Sequence, residues 1–275
     1  MSALPPPPDV ASALRRRPDL TAVRLVYFDE VTSTNDVAVG LAESGAADRT
    51  TVLARAQTSG RGRRGRSWHS PPGAGLYVSI LLRGPQSPLV TLMAGVAVAE
   101  AVRERSGVPV ELKWPNDLVV RLVHENPAGA ACPRSRKVAG LLAERLPLAA
   151  GEGVVMGIGI NVGRADYPVE LVGRATSLGA EARTPVGSAV LLADVLSGVE
   201  RWRRMLAAHG SADLLAQWRA WSPSSQGVRV AWNGHGTRYT GVTAGIDQDG
   251  ALTVDCSGRT ERIVGGEVTW EDGLW

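Results

Sequence analysis

Residues 57–83 read Gln-Thr-Ser-Gly-Arg-Gly-Arg-Arg-Gly-Arg-Ser-Trp-His-Ser-Pro-Pro-Gly-Ala-Gly-Leu-Tyr-Val-Ser-Ile-Leu-Leu-Arg, a cationic glycine loop that runs directly into an apolar strand. Gly60, Gly62 and Gly65 let the backbone reach positive φ and come close to a ligand, while Arg61, Arg63, Arg64 and Arg66 carry guanidinium forks matched to phosphate and carboxylate oxygens. A loop of this kind can wrap an anion, and the strand behind it anchors the loop to a sheet. An arginine-glycine run alone also fits a solvated basic loop or an RNA-contacting segment.

Outward from the loop, four more segments place polar groups beside short apolar runs: Thr32-Ser33-Thr34-Asn35, Lys113-Trp114-Pro115-Asn116-Asp117, Lys137-Val138-Ala139-Gly140 and Gly157-Ile158-Gly159-Ile160-Asn161-Val162. Strand-like runs are expected at 23–28, 51–56, 76–82, 110–113, 118–122, 138–144 and 154–161, bounded by Gly, Pro and polar residues. Helical spacing predicts helices over 35–46 and 90–106, the second ending at Gly107, with Leu92, Val96, Ala99 and Val102 near one face. A second helical block covers 188–209 and 211–221, in which Trp202, Trp218 and Trp221 are read as packing residues. After Pro223 the pattern changes to short alternating strands at 228–232, 238–246, 251–255 and 259–264, with Asn233-Gly234 and Asp249-Gly250 as turn signals. This reads as a small β-barrel.

At 275 residues, with 44% hydrophobic and 21% charged residues, the chain has the composition of a globular protein with a large domain and a small one. Its net charge of +3 permits acidic partners without implying a dedicated nucleic-acid surface. Cys132 and Cys256 stand far apart and in no ligand cluster, so zinc and redox motifs have no support and a reduced, cytoplasmic protein is expected. No apolar stretch is long enough for a signal peptide or membrane span. Residues 1–20, with Pro5 to Pro8 and Arg15-Arg16-Arg17-Pro18, are expected to be disordered, followed by a catalytic domain at 21–223 and the barrel at 224–275.

Taken as a set, Gly-Arg-Gly-Arg-Arg-Gly-Arg, Lys-Trp-Pro-Asn-Asp, Lys-Val-Ala-Gly and Gly-Ile-Asn resemble the biotin-protein ligase family over residues 25–176 and more weakly to the C-terminus. The resemblance implies an α+β fold: a central mixed β-sheet with helices packed on it, like class II aminoacyl-tRNA synthetases, followed by an SH3-like barrel. It also implies a two-step reaction on biotin and ATP, with Mg²⁺ accompanying the nucleotide, ending on a lysine of a biotin carboxyl carrier domain of an acyl-CoA carboxylase. Making biotinyl-AMP from a carboxylate and ATP is chiefly a matter of positioning and charge stabilisation, which suits cationic forks.

On that resemblance Arg61 and Arg63 hold carboxylate and phosphate, with Gly60, Gly62 and, less firmly, Arg64 and Arg66 in the closing segment. Lys137 reaches the reacting groups, with Gly140 allowing close approach. Lys113 binds a nucleotide phosphate, Asn116 orients a ligand or the carrier lysine, and Asp117 accepts a proton or hydrogen bond from that lysine. Ser33, Thr34 and Gln57 supply ureido contacts beside Asn35, and one of the two hydroxyls also caps the helix. Trp68, Gly73, Gly75 and Leu76 wall the valeryl chain. Asn161 lies on the nucleotide side, and residues 163–176 form a second loop over adenine, where Val169, Leu171 and Val172 are available to cover the base.

Three departures stand out. No helix-turn-helix precedes the catalytic region, so specific DNA binding is not expected. Residues 121–136, with His124 and Cys132, read as an exposed insertion without chemistry, and the 163–176 segment lacks the tryptophan that stacks on adenine in the family. A homodimer stays open. The rival readings are a lipoate or octanoate ligase or transferase and, from another class, a basic-loop nucleic-acid-binding protein.

Overall fold

The computed structural model describes residues 2–125, 131–149, 151–234 and 237–270. Seven strands form one mixed sheet: β1 (Arg24–Val31), β2 (Thr50–Gln57), β3 (Gly75–Arg83), β4 (Glu111–Lys113), β5 (Asp117–Glu125), β6 (Ala131–Leu148) and β7 (Gly151–Asn161), in the order β1-β2-β3-β7-β6-β5-β4. β1 and β2 run parallel and every other pairing is antiparallel.

Strand alternation gives the two faces different tasks. In β7, Val154, Met156, Ile158 and Ile160 belong to the large core, while Val155 belongs to a smaller cluster on the other face. Gly157 and Gly159 share the parity of Val155, so the face away from the main core is stripped of side chains. The large core takes in Leu178 of the short α4 (Leu178–Glu181) and packs against α3 (Val90–Ser106), α5 (Ser188–His209) and α6 (Ala212–Trp221). The other face is covered in part by α2 (Thr34–Glu43), whose Ala38 and Ala42 meet Phe28, Val52, Leu81 and Val155. The remaining part of that face is where the cavity lies.

Helix α3 begins and ends where its spacing predicts, with Gly107 left-handed at φ 67°. Trp202 and Trp218 are buried and Trp221 lies partly buried beneath the Arg103 guanidinium, as expected of packing residues. A second, five-stranded antiparallel sheet forms the small SH3-like domain: β8 (Gln226–Gly234), β9 (Thr237–Ile246), β10 (Leu252–Cys256), β11 (Arg259–Ile263) and β12 (Val268–Trp270), ordered β11-β10-β9-β8-β12. The expected turn at Asn233-Gly234 lies instead within β8.

The N-terminal segment is ordered rather than disordered. Helix α1 (Pro8–Arg15) opens with proline at its first position, where no intrahelical N–H is needed. It buries Val10 and Ala13 in the core shared with α5, and Leu4 N–H donates to the Tyr27 carbonyl on edge strand β1 at 2.9 Å. Arg17 and Arg105 both bond Asp194, whose side chain is 6% exposed, which ties the segment to α5. The proline run had masked a short helix whose partner lies far along the chain.

The supposed insertion at 121–136 is also corrected. Residues 121–125 and 131–136 continue β5 and β6 as an antiparallel pair, and residues 126–130 lie outside the described residues. The side chains of His124 and Cys132 are likewise outside that description.

Candidate active site

The cavity on the open face is lined by Ser33, Thr34, Asn35, Gln57, Arg61, Gly62, Arg63, Trp68, Asn116, Lys137 and Gly140, with Gly157 and Gly159 as its floor. One cavity thus gathers the five sequence segments. Lys113, Asp117, Asn161, Gly60 and Arg64 stand outside that lining: Asp117 contacts Lys137, Lys113 pairs Asp117 across β4 and β5, Asn161 ends β7, and Gly60 and Arg64 flank lining residues of the loop.

Lys137 and Gly140 are three residues apart, which a regular strand would send to opposite faces. The register of β6 on β5 shifts here: Ala139 pairs Leu118 and Lys137 pairs Val119, leaving Val138 as the extra residue of a bulge. The bulge brings Lys137 and Gly140 to the same cavity. Lys137 Nζ lies 2.6 Å from Asp117 Oδ1 and 5.2 Å from the Trp68 ring centre. Its backbone is held by the second loop: Lys137 N–H donates to Arg174 O at 2.8 Å, and Thr176 N–H donates to Lys137 O at 2.9 Å. Asn161, buried, donates its side-chain amide to Thr176 O at 2.9 Å. In that second loop Val169 and Val172 are exposed.

Glycine is required at the floor because Trp68 lies on it. A Cβ on Gly159 would stand 2.5 Å from the indole, and one on Gly140 would meet both Trp68 and Lys137 at 2.9 Å. The Trp68 Nε1–H is buried with no hydrogen-bond acceptor among the described residues, a donor left for a ligand. Of the other residues expected to wall an acyl chain, Leu76 is buried in the main core, and Gly73 and Gly75 do not line this cavity.

The polar end is built around Gln57. Its Oε1 accepts Thr34 N–H at 2.8 Å and Thr34 Oγ1–H at 3.1 Å, and its Nε2 donates to Ser70 Oγ at 2.8 Å. Ser33 occupies the N-cap position of α2, yet its hydroxyl makes no capping bond, so the expected capping duty is not performed by that side chain. Asn35 is committed to the protein: Nδ2 donates to Glu144 Oε2 at 2.7 Å, and Oδ1 accepts from the buried Ser79 hydroxyl at 2.6 Å.

The glycine loop folds over this cavity. Gly62 N–H donates to Arg66 O, and Trp68 N–H to Gly60 O, each at 2.7 Å. Gly60 is needed for close approach, since its Cβ would lie 2.5 Å from Trp68 O; positive φ falls instead at Arg64 (57°) and Gly65 (73°). Arg63 donates to Asn116 Oδ1 at 3.2 Å, and burial draws its guanidinium below its usual value while Asp117 partly restores it. Arg61 donates Nη1 to Asp36 at 2.5 Å and Nη2 to Glu144 at 2.6 Å. Arg64 and Arg66 both face Glu267 of the SH3-like domain.

Lys113 is buried, with Nζ 4.8 Å from the Trp270 ring centre. Burial pushes its ammonium down to about 8; Asp117 opposes the drop, and Lys137, Arg174 and Arg66 add to it. Next to it, Trp114 Nε1–H donates to Gly250 O at 3.0 Å. Sequence reading missed Asp36, Ser70, Ser79 and Glu144, because each acts through partners remote in the chain.

Chemically, the arrangement joins a neutral hydrogen-bonding end at Gln57 and Thr34, an aromatic wall over glycines, and a cationic end at Arg63 and Lys137 with Asp117 in contact. Such a site suits a ligand with an amide-like head, an apolar body and an anionic tail. Residues 26–161 match the biotin/lipoate A/B protein ligase family. The bifunctional ligase/repressor BirA of Bacillus subtilis is 32% identical over 254 residues, covering 89% of this chain and 73% of that protein. The biotin–[acetyl-CoA-carboxylase] ligase of Mycobacterium tuberculosis is 34% identical over 251 residues, covering 86% and 85%. Among solved structures, the biotin protein ligase of Aquifex aeolicus in complex with biotin and ATP superposes with a TM-score of 0.74 at 28% identity, covering 90% of this chain and 98% of that one. Motif order, mixed sheet and cavity therefore converge on one assignment, and the chain belongs to the biotin/lipoate A/B protein ligase family.

Proposed function

We propose that the protein is an ATP-dependent biotin protein ligase that forms biotinyl-AMP with release of pyrophosphate and then acylates a lysine of a biotin carboxyl carrier domain. The observation that carries this reading is the single cavity with Gln57 and Thr34 at one end and Arg63 and Lys137 at the other, the latter in contact with Asp117. The ureido group of biotin offers both N–H donors and a carbonyl acceptor, which the Gln57, Thr34, Ser33 and Trp68 Nε1 groups complement. A dithiolane or a plain alkyl chain offers no acceptor to the buried Trp68 Nε1–H and would leave that donor unpaired, which disfavours lipoate and octanoate.

In the first step a carboxylate oxygen attacks the α-phosphorus and pyrophosphate leaves. Arg63 and Lys137 neutralise the charge shared by carboxylate and phosphoryl group, and Lys113 and Asn161 serve the nucleotide. In the second step the carrier amine attacks the acyl carbon, AMP leaves, and the amine proton passes to Asp117, with Asn116 orienting the lysine. Mg²⁺ would arrive on the triphosphate. Among the described residues no three His, Cys, Asp or Glu side chains gather to hold a metal, so no step is assigned to it.

Pairing of Arg61, Arg64 and Arg66 with protein carboxylates removes much of the free positive charge that a nucleic-acid-binding loop would need. No helix among the described residues is long and apolar enough to cross a membrane. A cytoplasmic carboxylase carrier is the acceptor this reading requires, and dimer formation is compatible with it. Pyrophosphate exchange into ATP tests the first step: exchange with biotin but not lipoate or octanoate supports the proposal, and exchange with lipoate or octanoate alone moves the protein to the sister branch of the family.

A further inference from the structure

The cavity beneath the glycine loop holds only about 50 Å³ of free space, whereas small-molecule sites usually offer several hundred. The loop is folded down on this cavity, and its side-chain contacts hold it there. Beside Trp68 on the glycine floor and Arg63 on Asn116, Arg61 ties the loop to the sheet and to α2: one guanidinium nitrogen donates to Asp36 Oδ1 at 2.5 Å, the other to Glu144 Oε1 at 2.6 Å.

Two carboxylates on one cation leave this triad with a net charge of −1, which is a poor grip for a phosphate chain. Burial works against the Arg61 charge, but the bonds to Asp36 and Glu144 outweigh it and hold the guanidinium above its usual value. Arg63 is different: its guanidinium bonds a neutral amide, and it is more buried than Arg61.

Glu144 is the fixed end of the triad. Its side chain is 23% exposed, and its second oxygen accepts the Asn35 amide at 2.7 Å. Asn35 in turn accepts from Ser79, which is fully buried. Asp36, at 48% side-chain exposure, is the weaker end.

We propose that Glu144 and Asp36 are positioning residues that clasp the glycine loop shut through Arg61, leaving the anion to Arg63 and Lys137, and that this clasp sets how long the enzyme retains its adenylate. The retention role rests on the ligase reading; the clasp itself does not. Loosening the clasp should shorten retention of the intermediate while sparing its formation.

The test uses the full chain with Glu144→Gln, Asp36→Asn and the double variant. Asp29→Asn is the control, because it breaks an exposed ion pair with Arg55 outside the site. In ligand-free protein, amide hydrogen exchange is followed over residues 60–68; the clasp requires at least fivefold faster exchange at Gly62 and Trp68 in Glu144→Gln, a smaller effect in Asp36→Asn, and none in Asp29→Asn. Release of preformed biotinyl-AMP is then followed after a chase, with at least fivefold faster release expected in Glu144→Gln and an adenylation rate within threefold of wild type.

Unchanged exchange in both single variants overturns the clasp, whatever the activity. Faster exchange with unchanged adenylate release overturns the retention role alone. A wild-type protein that makes no adenylate from biotin overturns the ligase reading and the retention role with it, while the exchange result still decides the clasp. Asp36→Asn, at an exposed helical position, keeps the test decisive should Glu144→Gln fail to fold.

Discussion

Replacing Gly159 with alanine isolates the role of the bare floor. The added Cβ would stand 2.5 Å from the Trp68 indole, where ordinary contact begins at 3.4 Å, so the ring must retreat by about 0.9 Å or the strand must bend. β7 lies between β3 and β6 and is paired along its length, so the ring is the part that yields. Its retreat disturbs the aromatic wall and the 5.2 Å contact with Lys137 Nζ together. Overpacking of this kind costs roughly 1–3 kcal/mol. Expressed in binding rather than stability, that is roughly a 5- to 150-fold rise in the dissociation constant for biotin. Titration calorimetry on Gly159→Ala, with urea denaturation to show that the protein folds, measures it. A folded variant that binds biotin within twofold of wild type would refute the idea that Trp68 on bare glycine forms the ligand wall.

Lys113 predicts opposite pH trends for binding and stability. Its ammonium is charged below about 8, so ATP affinity should fall as pH rises through that value. The unfolded lysine keeps its proton to about 10.4, so between pH 8 and that value the unfolded state binds more protons and stability should rise with pH; Lys113→Met, which removes the group, should flatten both profiles. Gly40 is exposed in the middle of α2, and a methyl group placed there would meet nothing within 4 Å, so Gly40→Ala should stabilise by about 0.5–1 kcal/mol in urea denaturation without altering activity. Deleting residues 2–17 exposes the ground under Val10 and Ala13 and leaves Asp194 with Arg105 alone, a loss of roughly 2–4 kcal/mol; a change below about 0.5 kcal/mol would show that the segment does not support the core.

Much of this was legible in the chain. The helices at Val90–Ser106 and Ser188–His209 follow from apolar spacing, the first with its glycine stop, and the strand over 154–161 follows from its short apolar run. Arg61 and Arg63 of the loop and the Gln57, Lys137 and Asn116 set were visible as motifs and meet at one cavity, while Arg64 and Arg66 face Glu267. What escaped depends on pairing across the chain. Glu144 meets Arg61 across 83 positions and Asn35 across 109, so no local window distinguishes it from a surface glutamate. The bulge at Val138 leaves no mark in composition. β12 is three residues long and gains its strand character only from β8, while α1 was hidden by prolines that happen to suit a helix start.

The junction between the two sheets has a consequence for how the molecule comes apart. Trp114 bonds the Gly250 carbonyl, Leu89 and Leu92 press against Gly250, and Lys113 rests beside Trp270, within a core that runs unbroken from Leu112 and Val96 to Val230, Leu252 and Val268. Two architectural units thus share one reservoir of buried surface and melt as one cooperative body. A single calorimetric peak is expected, and a cut between residues 221 and 226 should yield not two independent folds but a large fragment with an unsheltered Trp114 and a small one stripped of its supporting wall.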